Sequence, residues 1–327
     1  MLLIPFNNYK NDTNTNARSY SNLTSDKQKC HKQKSELKTR LGTFVRIINA
    51  ICIIFVIVVC VANVSDASSK ANITHLDGSG VLIRGTSRHA LTKGISLQSG
   101  DIMEFNEHTH AQVEFPDGAI AAFGSSSRIL WFSHSNKYST STKLYLLSGA
   151  AKVVVPKGAK PLRIETQHLD FAVTEAISII LTSDSESEVF VESGTIRING
   201  ELKLREGEYC RQKTGRKLSL AASPPKSFVS VLPIQFRDPL PHLLARLGNR
   251  NSPLAKPRNF TYDEVESWLN GPPKIRKYLA HQWRAKVKDA VFRKSLERNI
   301  KKHPEWGYVL YPVKNVDQTN KTGTGAP

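Results

Sequence analysis

The chain has 327 residues, with 46 Lys and Arg against 28 Asp and Glu, a net charge of +18 and 39% hydrophobic residues. That length fits one or two folded domains, and the apolar content is enough for a core, which excludes a wholly disordered chain. The four cysteines (Cys30, Cys52, Cys60 and Cys210) are too few and too scattered for a disulfide framework or a cysteine zinc site.

Residues 1–43 are rich in Asn, Thr and Ser and then in Lys, and read as a disordered basic tail. Residues 1–46 hold nine Lys and Arg against three Asp and Glu. Ile47–Val64 follows without a single charged residue. A helix of that length spans about 27 Å, near the ~30 Å hydrocarbon core of a bilayer. We therefore expect a transmembrane helix over 44–66. Lys27, Lys29, Lys32, Lys34, Lys38, Arg40 and Arg46 before it keep the N-terminus in the cytoplasm. A cleaved signal peptide is the rival, since Ser65-Asp66-Ala67 has the form of a cleavage site. Both readings carry the bulk of the chain out of the cytoplasm, so a nucleic-acid partner is not expected.

Residues 70–222 are nearly neutral, with eighteen Lys and Arg against sixteen Asp and Glu. Here the pattern is of short β runs, such as Val81–Ile83, Ile102–Phe105, Ala111–Phe115, Leu144–Leu147, Val153–Val155, Ile177–Leu181 and Ile196–Ile198. Turn pairs separate them, among them Asp117-Gly118, Ser148-Gly149 and Ser193-Gly194. This spacing implies an all-β sandwich, barrel or solenoid. Leu146–Val153 and Val191–Ile198 resemble each other, each reading as strand, small-Gly turn, strand. His108-Thr109-His110 places two imidazoles on one face of a strand, but no third ligand is evident, so solvated histidines and no metal are expected.

Residues 223–260 carry seven prolines and read as a linker, with a short helix near His242–Leu247. Residues 261–312 turn helical. Thr261-Tyr262-Asp263-Glu264 is a capping box. Ile275, Leu279, Trp283 and Val287 recur every four residues, and Asp289 is placed to cap a third helix that Pro304 follows. The outer face of this small bundle is expected to carry Arg276, Lys277, Lys286 and the candidate anion contacts Arg284, Lys288, Arg293, Lys294, Arg298, Lys301 and Lys302. Trp268, Trp283 and Trp306 are expected in the core. Residues 313–327 read as a disordered tail.

Gly80–Gly85, Leu97–Asp101 and Ala111–Gly118, followed in order by Leu147-Ser148-Gly149, Val191–Gly194 and Arg205–Glu208, resemble the FecR domain over about residues 78–215. The resemblance implies a β-rich envelope domain outside a bacterial inner membrane. It also implies contact with an outer-membrane receptor and relay to a sigma factor inside. Two departures matter. Residues 1–43 lack the Trp-containing helical segment that grips the sigma factor in that family, and Glu175-Ala176-Ile177-Ser178 stands where the family has a Gly-Thr piece.

The expected fold class is thus membrane-anchored α+β: one transmembrane helix, a FecR-like all-β domain (sandwich or solenoid-like) and a C-terminal helical bundle. No nucleophile elbow, phosphate loop or metalloprotease pattern is found, and no catalytic residue or cofactor is expected. The expected function is non-catalytic envelope binding or sensing, with relay across the inner membrane. The alternatives are a periplasmic scaffold on another envelope protein or an acidic envelope polymer, and a hydrolase of envelope polymers.

Overall fold

Strand β8 is the element on which the architecture turns. In the computed structural model, which describes residues 70–135, 140–248 and 252–312, it runs sixteen residues from Thr140 to Val155. Its first half pairs with β7 (Arg128–Ser135) and, in parallel, with β9 (Leu162–Glu165). Its second half pairs with β6 (Ile120–Phe123) and β11 (Ala176–Thr182). The change of partners falls at Ser148-Gly149, since Ser148 faces Arg128 and Gly149 faces Thr182.

The sequence reads this pair as a hairpin turn, and the structure corrects it: the strand continues through a corner. Gly149 has φ +102°, and a Cβ there would lie 2.5 Å from the Cα of Ser127. Only glycine tolerates both. The similar run at Ser193-Gly194 is a second corner. There β12 (Glu186–Ser193) ends in one sheet and β13 (Thr195–Ile198) begins in the other. The two stretches resemble each other because both cross between sheets.

The first sheet adds β1 (Asn72–Asp77), β5 (His110–Glu114), β15 (Tyr209–Lys213) and β16 (Ser219–Ala221). Its order is β1-β5-β6-β8-β11-β12-β15-β16, antiparallel throughout. The second sheet adds β2 (Gly80–Arg84), β3 (Ser87–Ala90), β4 (Ile102–Phe105), β10 (Asp170–Val173), β14 (Leu202–Arg205) and β17 (Arg258–Asn259). Its order is β17-β3-β2-β4-β7-β8-β9-β10-β13-β14. Ile73, Val113 and Val153 of the first sheet share one apolar cluster with Leu82, Trp131, Ile164 and Phe171 of the second. The β region is therefore a sandwich.

Several strands lack a continuous apolar run and escape the sequence reading, among them β3, β9 and β15. The turn chemistry is as expected. Gly118 has φ +87°, and the Asp117 side chain accepts from Ala119 N (3.2 Å) and Lys160 N (3.0 Å). Buried Asp101 accepts from Gln98 N (2.7 Å) and twice from Arg84.

Both outer faces of the sandwich carry apolar side chains, and the C-terminal third covers them. On the first sheet, Ala122, Ala150, Ile179 and Tyr209 pack under Phe228 and Phe236 of the proline-rich segment. On the second, Ile83, Ile102, Leu130, Tyr145 and Leu147 share a cluster with Trp268, Leu279, Trp283, Phe292 and Trp306. The helical region contains helices Glu266–Leu269, Pro273–Gln282, Ala290–Arg298 and Gly307–Leu310. Thr261 and Glu264 exchange the two bonds of the capping box, though a 3-10 turn (Asp263–Val265) precedes the first of these helices. Asp289 caps Ala290–Arg298, accepting from Val291 N and Phe292 N.

The expected tails 1–43 and 313–327 and the expected transmembrane helix 44–66 lie outside the described residues. Among the described residues no helix is long and apolar enough to cross a membrane.

The corner glycine gives a direct test. Gly149→Ala forces an L side chain into positive φ and into Ser127, and should cost at least about 2 kcal/mol in urea unfolding. Gly158→Ala, also at positive φ but in open space, should cost about 1 kcal/mol, the conformational term alone.

Candidate functional site

Strand alternation sends Gln112, Glu114 and Lys152 to the outer face of the first sheet, where the proline-rich segment buries all three. Lys152 Nζ donates to Phe236 O (2.8 Å) and Asp238 O (3.2 Å) and pairs with Glu192 (2.8 Å). Glu114 accepts from Leu243 N (2.8 Å) and Leu244 N (3.0 Å), and Gln112 Nε2 donates to Pro241 O (2.7 Å). Three buried polar side chains thus satisfy backbone groups between Phe236 and Leu244, a stretch rich in proline that forms no strand. Sequence reasoning missed them. The one signal available was the lone lysine within Ala150–Val155, a stretch otherwise apolar.

Where this segment crosses the sheet it leaves a cleft of about 650 Å³. His108, His110, Thr182, Glu186, Glu188 and Gln235 give it polar walls, with Val231 and Pro233 at one side. The expectation of two solvated histidines fails for one of them. His108 is exposed, in a turn at φ +56°, whereas His110 is buried against His75 and Phe236. The reason is the strand period: His110 belongs to β5 and faces the covering segment. Burial, with nearby His75 adding to it, pushes the His110 imidazole below its ordinary pKa. The two carboxylates are already engaged. Glu186 is paired with Arg211 and Lys213, which hold its pKa low against the opposing effect of burial. Glu188 accepts from the Tyr209 hydroxyl. Among the described residues no group of three or more His, Cys, Asp or Glu is arranged to hold a metal.

The predicted anion contacts lie on the helical layer. Arg284 and Lys288 are exposed and, with Tyr308 and Val309, line one shallow groove of about 420 Å³. Arg293 donates to Glu297 (2.8 Å), a helical i,i+4 pair that partly spends its charge. Lys294 and Arg298 are exposed one turn apart, and Lys301 and Lys302 follow, also exposed. None of these last four has an ion pair among the described residues. Residues 273–312 hold eleven Lys and Arg against three Asp and Glu, a net of +8.

Two side chains depart from the expected outer face. Lys286 is only 4% exposed; its ammonium pairs with Asp289 (2.7 Å) and lies over the rings of Phe260 and Phe292. Arg276 is half-buried and pairs with Glu305 (2.8 Å). Trp268, Trp283 and Trp306 are buried, as expected. Trp268 Nε1 donates to Glu104 Oε1 (2.7 Å), and burial raises the pKa of that carboxyl. Cys210 is a buried thiol, pushed up to about 12 by burial.

Residues 101–197 match the family model described as FecR protein. No curated protein matches the chain. Among solved structures, the chain is similar to two crystal structures titled as a "putative anti-sigma factor" from Parabacteroides distasonis ATCC 8503. The first is 17% identical at TM-score 0.34, over 39% of this chain and 63% of that one. The second is 16% identical at the same TM-score, over 39% and 62%. The chain therefore spans less than two thirds of either.

Two predictions follow from this geometry. Lys152→Ala strips a buried cation from two carbonyls and a carboxylate, and should cost about 3 kcal/mol in chemical denaturation. The second concerns pH. His303 is buried, shares a hydrogen bond with the Tyr262 hydroxyl (2.7 Å), and burial lowers its pKa. A depressed imidazole stabilises the fold above the unfolded pKa of about 6.5, and that contribution is lost as pH falls through the folded value. Stability should fall as the pH drops below about 6.5, with a slope of up to ~1.4 kcal/mol per pH unit for this group. His303→Gln should flatten the slope.

Proposed function

We propose that this chain is a non-catalytic binding and sensing protein of the bacterial envelope. It is anchored once in the inner membrane, with residues 1–43 in the cytoplasm and the sandwich and helical layer in the periplasm. The observation that carries this reading is the FecR match over residues 101–197, which falls on the core of a sandwich joined to a helical layer of net charge +8. The apolar run Ile47–Val64 and its basic flank support the topology. Relay to a cytoplasmic sigma factor is the mode of action the FecR resemblance implies; residues 1–43 contain no tryptophan, and that relay is not part of this reading.

The exposed cations Arg284, Lys288, Lys294, Arg298, Lys301 and Lys302 are the proposed contact surface for another envelope protein or an acidic envelope polymer. Such contacts are electrostatic and weaken with salt. The hydrolase alternative needs free, convergent acidic groups. The cleft at His110 does not favour it, because Glu186 and Glu188 are tied to Arg211, Lys213 and Tyr209.

Alkaline phosphatase fused at Pro327 should be active in intact cells; activity seen only with a cytosolic reporter would overturn the topology. Purified chain should sediment with cell-wall sacculi at about 0.05 M salt and release at about 0.5 M. Arg298→Glu with Lys302→Glu should reduce sedimentation severalfold while far-ultraviolet circular dichroism stays unchanged. Retention by this variant equal to wild type would remove the helical layer as the contact surface.

A further inference from the structure

The proline-rich segment grips the first sheet thinly between Val231 and Leu244. Val231 and Ile234 face solvent at 65% and 66% exposure, and Phe236 is the one buried side chain of this stretch. Among the described residues, its backbone is bonded only in local turns and by Lys152, Gln112 and Glu114. A stretch with so few buried contacts opens locally at low cost.

His110 lies beneath the Phe236 anchor. It is 8% exposed, its ring meets the Phe236 ring edge-on at 6.1 Å, and its Nδ1 has no hydrogen-bond partner. The half-buried ring of His75 on β1 is 5.6 Å away. The cleft of about 650 Å³ borders His110 and is also lined by Val231, Leu232 and Pro233, so solvent already stands against the segment.

A neutral imidazole suits this place and a charged one does not. Protonation puts a cation beside His75 and against an apolar ring, while Lys152, already a buried cation, holds the carbonyl of the same Phe236. The nearby carboxylates give little relief. Asp77 faces His110 in register on β1 but is exposed. Glu114 on β5 accepts from Leu243, Leu244 and Gln112, and Glu192 is paired with Lys152. Across the cleft, Glu186 and Glu188 are tied to Arg211, Lys213 and Tyr209. Neighbouring β6 carries no charged residue. On the segment itself Arg237 and Asp238 are exposed and of opposite sign, and exposed His108 and His242 offer no negative charge. Burial and His75 push the His110 pKa down, and Asp77 and the backbone of Phe123 oppose them only in part.

We propose that His110 is the trigger of an acid-operated latch: the segment from Val231 to Leu244 stays closed over the first sheet while the ring is neutral, and lifts when the ring is protonated. Opening hydrates both imidazoles and exposes the apolar face of Ala122 and Ile179. The sign follows from the closed state, which holds the ring neutral. Closure is favoured above the open-state pKa of about 6.5 and weakens as the pH falls below it. The latch needs neither the cations of the helical layer nor a particular side of a membrane.

Backbone hydrogen exchange of the full chain in detergent, read by mass spectrometry at about pH 7.5 and pH 5.0 and corrected for the chemical exchange rate, tests this. Protection of the Leu243 and Leu244 amides should drop severalfold, and by at most about thirtyfold, the limit for one imidazole with an open-state pKa near 6.5. The amides of Val113, Ile129 and Val153 in the core should keep their protection. His110→Gln should make protection of the segment equal at the two pH values, and His303→Gln should leave the wild-type response. Gly124→Ala, whose Cβ would stand 2.6 Å from Pro233 Cγ, should loosen the segment at both pH values. If His110→Gln loses core protection, His75→Gln is used instead, with the response at least halved. Equal protection of the wild-type segment at both pH values overturns the proposal. So does a full response in the histidine variant, or core amides that lose protection in step with the segment.

Discussion

One strand serves two sheets, and the rest of the described structure follows from that. β8 changes partners at Gly149, where the backbone needs positive φ and Ser127 leaves no room for a Cβ. The corner holds the two sheets face to face over a shared core. It also leaves each sheet with a second, outward apolar face. Exposed apolar area of that extent is not stable in water, so the chain must cover it, and its C-terminal third does so on both sides.

The two covers are built differently. The proline-rich segment has few apolar anchors, Phe228 and Phe236 chief among them, and apart from Arg258–Asn259 at its end its backbone joins no ladder. It is held by buried side chains of the sheet, with Lys152, Gln112 and Glu114 bonding to its carbonyls and amides. The helical layer instead brings a large apolar cluster of its own, with Trp268, Trp283 and Trp306 buried in it, and adds side-chain pins at Trp268–Glu104, Lys274–Glu165 and Gln282–Gly100. Both devices leave open surfaces at their margins: a cleft beside the proline-rich segment, a basic outer face on the helices, and an uncovered strip of sheet beyond Lys274.

The cations differ in the same way. Where a lysine or arginine has a structural task it is buried or paired, as with Lys152, Lys286, Arg84 and Arg276. Exposed cations without an ion pair among the described residues include Lys294, Arg298, Lys301 and Lys302 on the helical face and Arg197, Lys203 and Arg205 on the second sheet. A sequence count of charge mixes the two sets. Lys286 and Lys288 are two residues apart, yet one lies over aromatic rings and the other faces solvent.

Local chemistry made much of this legible in advance. The Asp-Gly hairpin, the capping box, the Asp289 cap and the burial of Trp268, Trp283 and Trp306 depend on neighbours in sequence, and the ordered turn residues carried the FecR resemblance. Other features depend on distant pairing. Ser148-Gly149 looks like a hairpin turn because glycine at positive φ serves a turn and a corner equally; only the strands on either side decide which. His110 looks solvent-facing because nothing nearby shows that residues from 230 onward pass over it. Arg197 and Lys203 become a charged pair only through the β13–β14 register. The sequence by itself determined the strand-rich middle, the helical end and the charge each carries, because propensity, capping and turn chemistry act over a few residues. The tertiary structure alone decided which apolar faces are covered and which cations stay free, because burial is set by segments that meet from far apart in the chain.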